Sequence, residues 1–205
     1  MSGAGKSFWT RKLAAAGFRA IGIDDRIERE LASELAAGGY RGIAGVAAWM
    51  GWPDQPTYRD RERKYLESEI RCMHAALDEI EESAGEGIVL DTTGSVVYTG
   101  EELCRRLRSL TTVVHLAASP EEEKVLVARY LSDPKPVLWG DCFSQQAGES
   151  APAAIARCYP LLIAQRRHLY ERYAHCTVFT GSFRQDPLDA RGFLELIEGR
   201  ARHAQ

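Results

Sequence analysis

Met1-Ser2-Gly3-Ala4-Gly5-Lys6-Ser7 opens the chain and runs directly into KSFWTRKLAAA at 6–16, a stretch with helical spacing that Gly17 stops. Small residues in such a turn leave successive backbone N–H groups free to surround an oxyanion, and the helix N-terminus behind them adds partial positive charge. Gly3, Ala4, Gly5, Lys6 and Ser7 therefore form a candidate phosphate cradle. Lys6 is placed to reach the outer phosphates of a nucleotide, and the Ser7 hydroxyl to take a position on Mg²⁺. The motif GxxxxGK[ST] also calls for a glycine five positions before Gly5, ahead of Met1, and for a buried apolar strand before that. The expectation is that Met1 is an internal methionine preceded by about 6 to 12 further residues, one strand plus a start. The alternative to an internal methionine is a real truncation with weakened nucleotide binding, and the alternative to the phosphate cradle itself is a helix that happens to begin SGAGKS.

Outward from this turn, strands alternate with helices. FRAIGI at 18–23 reads as a short buried strand ending at Asp24-Asp25, and 25–36 returns to helical spacing until Gly38-Gly39. A short helix at 43–50 and a long one at about 58–83 follow, then the strand GIVLD at 87–91. Helix 100–109, strand 112–116, and helix 120–131, opened by Ser119-Pro120, come next. After an irregular stretch at 132–151, helix 152–173, strand 176–180 and helix 187–201 close the chain. This alternation predicts one three-layer α/β/α domain around a parallel sheet, a P-loop fold whose first strand is missing. The 132–151 segment is long for a connection and rich in Pro, Gly and Ser, which suits a mobile lid.

Composition narrows the partners. The 205 residues are 45% hydrophobic and 27% charged, the balance of a globular protein. A net charge of -3 argues against a basic nucleic-acid groove. No stretch approaches the roughly 18 to 20 apolar residues of a membrane span. The five cysteines, Cys72, Cys104, Cys142, Cys158 and Cys176, contain no CxxC pair, which speaks against structural zinc and for reduced thiols in a cytoplasm. A monomer or weak homodimer is expected.

Acids at strand ends are the candidates for transfer chemistry. Asp24 follows the second expected strand, where a carboxylate can accept the proton of an attacking hydroxyl or help hold Mg²⁺; it also precedes a helix, where capping is worth about 1 kcal/mol. Asp91 ends GIVLD and leads into Thr92-Thr93-Gly94-Ser95, the usual placement of an acid on the Mg²⁺ side. Lys135 and Arg129 flank the start of the irregular segment, where a mobile cation can fold over phosphates and neutralise developing charge. Of Arg166 and Arg167, one can face an anionic acceptor while the other faces solvent. The five histidines lack metal-ligand spacing and read as structural.

Several stretches together resemble the shikimate kinase branch of the P-loop small-molecule kinases, over nearly the whole chain. SGAGKS (2–7) resembles the phosphate loop, IDDRIE (23–28) the DxDxxIE stretch, and VLDTTGSVV (89–97) the apolar-ATGGGxV segment. DPKPVL (133–138) is similar to the lid's RPLL, and QRRHLYERYAHCTV (165–178) to ERxPLYEExADxTV. The resemblance implies γ-phosphoryl transfer from ATP, with Mg²⁺, to a small-molecule hydroxyl acceptor. It implies that Lys6 and Ser7 serve phosphate and metal, that Asp24 contacts the acceptor hydroxyl, and that Gly94 lies beneath the acceptor. Lys135 takes the lid arginine's place, and Arg166 pairs with the acceptor's carboxylate. The chain departs from the pattern at Gly22, where the family has its first Asp, and in YLESE (65–69), which puts Leu66 at an acceptor-binding arginine. Arg59 in YRDRE is a second, weaker match to that arginine. Asp91, standing where the family has Ala, is expected to supply the charge lost at Gly22. Shikimate is the default acceptor by resemblance; the departures leave as alternatives a kinase for another small alcohol or a nucleotide, or a nucleotide-binding regulatory protein without turnover.

Overall fold

The computed structural model describes residues 4–83, 85–179, 181 and 188–203, and the side chain of His203 is left out of account. Of the candidate residues, Gly3 lies outside the described set, as does Thr180, expected to end the last strand. Helix α1 (Lys6–Ala15) leads to strand β1 (Arg19–Gly22), then α2 (Ile23–Glu30), α3 (Ala32–Ala37), α4 (Gly42–Met50) and α5 (Tyr58–Glu82). Strand β2 (Ile88–Asp91), α6 (Glu101–Leu110), β3 (Val114–Ala117), α7 (Pro120–Ser132), α8 (Ala151–Tyr173), β4 (Cys176–Phe179) and α9 (Ala190–His203) complete the order. The fold is mixed α/β with parallel strands.

Local chemistry explains the element ends. Ser119 accepts a hydrogen bond from the Glu122 N–H while the Glu122 carboxylate accepts one from the Ser119 N–H, and Pro120 follows the cap, so α7 begins with a complete capping box. The strand expected over 18–23 is shorter than its apolar run. Gly22 is still extended, but Ile23 already lies in α2, so Asp24 and Asp25 occupy that helix's first turn instead of trailing the strand. The expected helix over 25–36 divides at Leu31, which leaves helical geometry (φ −87°, ψ 6°) while keeping its side chain in the core.

The strands do not join into one sheet. β1 runs parallel to β2, with Arg19 opposite Ile88 and Gly22 opposite Asp91. β3 runs parallel to β4, with Val114 opposite Cys176 and Ala117 opposite Phe179. Among the described residues nothing pairs β2 with β3. A cavity of about 740 Å³, lined by Val89 and Leu90 on one side and Val114 and Leu116 on the other, stands where a ladder would be.

Two apolar clusters form. Ile88 and Leu90 of β2 pack with Ile23, Ile27, Met73, Leu77, Leu107 and Leu162 of the helices α2, α5, α6 and α8. Val89, between them, packs with Trp9 and Leu13 of α1, Val178 of β4 and Phe193 and Ile197 of α9. That is the period-2 alternation of a strand buried on both faces. Trp9 and Phe193 stack face to face, with centroids 3.8 Å apart, and tie α1 to α9. Among the described residues no helix is long and apolar enough to cross a membrane.

Candidate functional site

The start of α1 has the features of an anion site. Gly5 caps it at φ +90°, a conformation that disfavours any side chain, and among the described residues no side chain caps the helix and no acid stands in its first turn. The orphan N–H groups of that turn keep their partial positive charge. Ala4 is buried and Ser7 exposed. Lys6 Nζ stands 3.6 Å from Asp91 Oδ1 at the end of β2. That oxygen is buried and, among the described residues, accepts no hydrogen bond.

Asp24 belongs to the same neighbourhood. Burial pushes its carboxyl up, Lys6 pulls it back down, and the negative charges of Asp91 and Asp25 raise it further. A carboxylate moved toward neutrality is a better proton acceptor than an ordinary aspartate. The empty side-chain position at Gly22 is also accounted for. A Cβ there would stand 2.9 Å from Asp25 Oδ2, so the Asp25 carboxylate occupies the space a side chain at Gly22 would take.

Among the described residues no group of three His, Cys, Asp or Glu side chains is arranged to hold a metal ion by itself. The expected Mg²⁺ site at Ser7 and Asp91 is therefore not a ready-made cage. Magnesium bound beside phosphates is held mostly by waters and phosphate oxygens with one or two carboxylates. The buried, unbonded Asp91 Oδ1 fits such a contribution.

The acceptor-side candidates converge. Arg166 of α8 is 8% exposed. Its Nη2 donates to the Leu138 carbonyl at 2.5 Å, its guanidinium lies 5.4 Å from the Tyr98 ring centroid, and among the described residues its Nε has no hydrogen-bond partner. A Cβ at Gly94 would stand 3.4 Å from Arg166 Nη1, so a larger residue there would crowd the guanidinium. The Tyr170 hydroxyl donates to the Gly94 carbonyl at 2.5 Å and holds that turn against α8.

Beneath the turn lies a residue that sequence reasoning passed over. Glu69 of α5 is completely buried. It accepts hydrogen bonds from Thr93 Oγ1 and, at 2.6 Å, from Ser95 Oγ, the residues on either side of Gly94. Burial pushes its carboxyl up to about 7, against the pull of those two hydroxyls; Asp24 raises it and Arg166 lowers it. Glu69 therefore links the acid at Asp24 to the cation at Arg166.

The cations of the irregular segment lie elsewhere. Lys135 is 74% exposed and stands 3.8 Å from Asp133, and Arg129 is exposed near the end of α7; neither makes a described contact with Lys6, Asp24 or Asp91. The segment is irregular as expected, but its middle is anchored. Trp139 is fully buried, and Glu62 Oε1 accepts from the Trp139 and Gly140 N–H groups, both at 2.9 Å, and from the Tyr58 hydroxyl at 2.7 Å. Arg59, the weaker match for a second acceptor arginine, is occupied here: its Nη1 donates to Glu62 Oε2 and to the Gly140 carbonyl, both at 3.0 Å. Leu66 is half-buried. Arg167 pairs with Glu123 at the surface.

Glu62 and Glu69 were legible in one respect. They sit seven residues apart on the face of α5 that carries Tyr58, Cys72, Met73 and Ala76, and a carboxylate on an apolar face needs buried partners. No protein-family model matches the chain, and no curated protein matches it.

Proposed function

We propose that the chain is an ATP-dependent small-molecule kinase, built as a three-layer α/β/α P-loop domain and similar to the shikimate kinases. The observation that carries this reading is the meeting of Lys6, Asp24 and Asp91 at the uncapped start of α1. The apolar clusters on opposite sides of the strands support the three-layer arrangement.

In this reading the N–H groups around Gly5, with Lys6, hold the phosphates of ATP, and Asp91 with Ser7 and Asp25 holds the Mg²⁺ side. The bound metal supplies charge neutralisation for the transferring phosphoryl group. Asp24 accepts the proton of the acceptor hydroxyl. Arg166, buried beside Gly94 with an unbonded Nε, gives the acceptor an anionic anchor point. Catalysis rests on positioning and charge neutralisation, the general pattern of phosphoryl transfer. Lys135 joins the phosphates only if the segment around it moves, since it faces solvent here.

That same exposure of Lys135 favours one rival: a nucleotide-binding regulatory protein without turnover. ATP consumption measured with MgATP and a panel of small hydroxyl compounds, shikimate included, separates the two. Turnover with any acceptor supports the kinase. ATP bound but not consumed across the panel supports the rival, and no ATP binding at all removes both.

A further inference from the structure

We infer that the pocket at Arg166 admits a small carboxylate together with a proton, which is drawn from solvent and settles on Glu69. The inference deepens the acceptor site proposed above and rests on that reading.

The geometry offers one buried positive charge for two negative ones. Arg166 lies against the Thr93-Gly94-Ser95 turn, where a Cβ on Gly94 would stand 3.4 Å from its Nη1. Glu69 lies beneath the same turn, bound to the hydroxyls on either side of Gly94. Glu69 is completely buried and Arg166 nearly so. The hydrogen bonds to Glu69 come from hydroxyls and not from a cation, and Arg166 is the cation whose charge favours its ionised form. An incoming carboxylate that takes the free Nε of Arg166 neutralises that charge. Glu69, if ionised, is then a second negative charge in a buried pocket with its cation already taken. Burial opposes such a charge strongly, and a proton on Glu69 removes it.

The turn is built to hold that proton. Three oxygen–oxygen contacts close a ring: Glu69 Oε1 with Thr93 Oγ1, Thr93 Oγ1 with Ser95 Oγ at 3.0 Å, and Ser95 Oγ with Glu69 Oε2 at 2.6 Å. Each contact needs one proton, and the two hydroxyls supply one each. With Glu69 ionised, both hydroxyls donate to it and the Thr93–Ser95 contact has none. With Glu69 protonated, its hydroxyl donates to Thr93, Thr93 donates to Ser95, and Ser95 donates back to Glu69. Thr93 Oγ1 still accepts from the Ser95 N–H at 3.0 Å, so every member is satisfied.

The other groups around Glu69 leave it as the site of the proton. Asp24 of α2 adds negative charge and raises it. Tyr65 of α5, Cys104 of α6 and Tyr170 of α8 also act on it, and burial holds all three above their usual values, so they stay neutral near pH 7. The Glu69 carboxyl itself is pushed up to about 7. Below that pH it already carries its proton and a carboxylate binds without uptake. Above it, binding must first protonate Glu69, and affinity for a carboxylate falls by up to about tenfold for each pH unit.

The test titrates shikimate and its methyl ester into the full chain by calorimetry between pH 6 and pH 8.5, in two buffers of different protonation enthalpy, and repeats both with Glu69→Gln. Shikimate affinity is expected to fall at least about tenfold over this range, with about half a proton or more taken up per molecule bound at pH 8. The ester carries no charge, and its affinity should change less than about threefold. The variant should bind shikimate with no pH dependence and no uptake, whereas a merely structural Glu69 would change affinity by one factor at every pH. Carbon NMR of labelled glutamate carboxyls reads the same proton in the parent: the one titrating near pH 7 should move up by at least about one pH unit when shikimate binds. The inference is overturned if the parent binds shikimate without pH dependence, if that glutamate does not move, if the variant keeps the parent's slope, or if shikimate does not bind the parent at pH 6. ATP consumption separates this from the kinase reading. Proton-linked binding without turnover of any acceptor removes the kinase and leaves the inference, and turnover with pH-independent binding does the reverse.

Discussion

Replacing Glu69 with Gln tests the centre of the proposed acceptor site. The Glu69 carboxyl titrates at 4.5 in an unfolded chain and near 7 in the fold, where burial opposes its charge. An acid whose folded value is raised keeps its proton in the fold after the unfolded chain has lost it. Stability therefore falls as pH rises from about 4.5 to about 7, and stays lowered above that. At about 1.4 kcal/mol for each pH unit, the ionised Glu69 weakens the fold by about 3 kcal/mol at pH 8. Glutamine keeps the size and an oxygen acceptor for the Thr93 and Ser95 hydroxyls but never ionises. Urea unfolding of both proteins at pH 5 and pH 8 is the assay. The variant should match the parent within about 1 kcal/mol at pH 5 and exceed it by about 3 kcal/mol at pH 8. An equal difference at both values would refute the reasoning, because Glu69 would then not titrate in this range. A variant weaker than the parent at pH 8 would also refute it, and would mean that attraction to Arg166 outweighs burial.

Three further substitutions probe separate parts of the molecule. Lys6→Ala removes the cation of the phosphate turn and should weaken MgATP binding roughly 100-fold in calorimetry while leaving the unfolding midpoint nearly unchanged, since Lys6 contributes one half-exposed ion pair. Asp91→Asn should lower Mg²⁺-dependent turnover at least about tenfold, and unchanged activity would assign the metal-side charge to Asp25 instead. Glu62→Ala leaves the Gly140 N–H without its acceptor and loosens Trp139 and Tyr58. It should cost about 2 kcal/mol and open the 132–151 segment to limited proteolysis, whereas protection equal to the parent's would show that the anchor lies elsewhere.

Local rules carried most of the elements. Ser119-Pro120 announced α7 because a cap and a fixed φ act within one turn, and GIVLD announced β2 because a strand buried on both faces reads as an apolar run. Tertiary packing set what was missed. Nothing in FRAIGI marks that Ile23 leaves the strand, because its burial is compatible with either state, and the choice follows from packing against α5. Glu69 went unseen for a related reason: its partners Thr93 and Ser95 lie more than twenty residues away, and only the fold brings them beneath Gly94. Lys135 shows the converse. Its place in DPKPVL suited a cation over phosphates, yet the anchoring of Trp139 by Glu62 holds the neighbouring chain while Lys135 points to solvent.

The departures from the shikimate kinase pattern take on a physical meaning once the neighbours are known. In the proposed kinase the Asp25 carboxylate, close against Gly22, stands in for the acid that the resemblance would put there. No comparable repair exists at Leu66. The one nearby arginine matched to that role, Arg59, is committed to Glu62 and the Gly140 carbonyl, and withdrawing it would release the anchor of the 132–151 segment. Arg166 is then the buried guanidinium left for an acceptor, and it already gives one N–H to the Leu138 carbonyl. A single guanidinium with a free Nε can make a charged contact, but two opposed guanidinium forks, each able to bind a carboxylate through two parallel bonds, grip far more selectively. The proposed kinase therefore recognises its acceptor chiefly through the hydroxyl at Asp24 and the turn at Gly94, and a panel of alcohols that vary in charge should show weaker dependence on a carboxylate than a two-arginine site would impose.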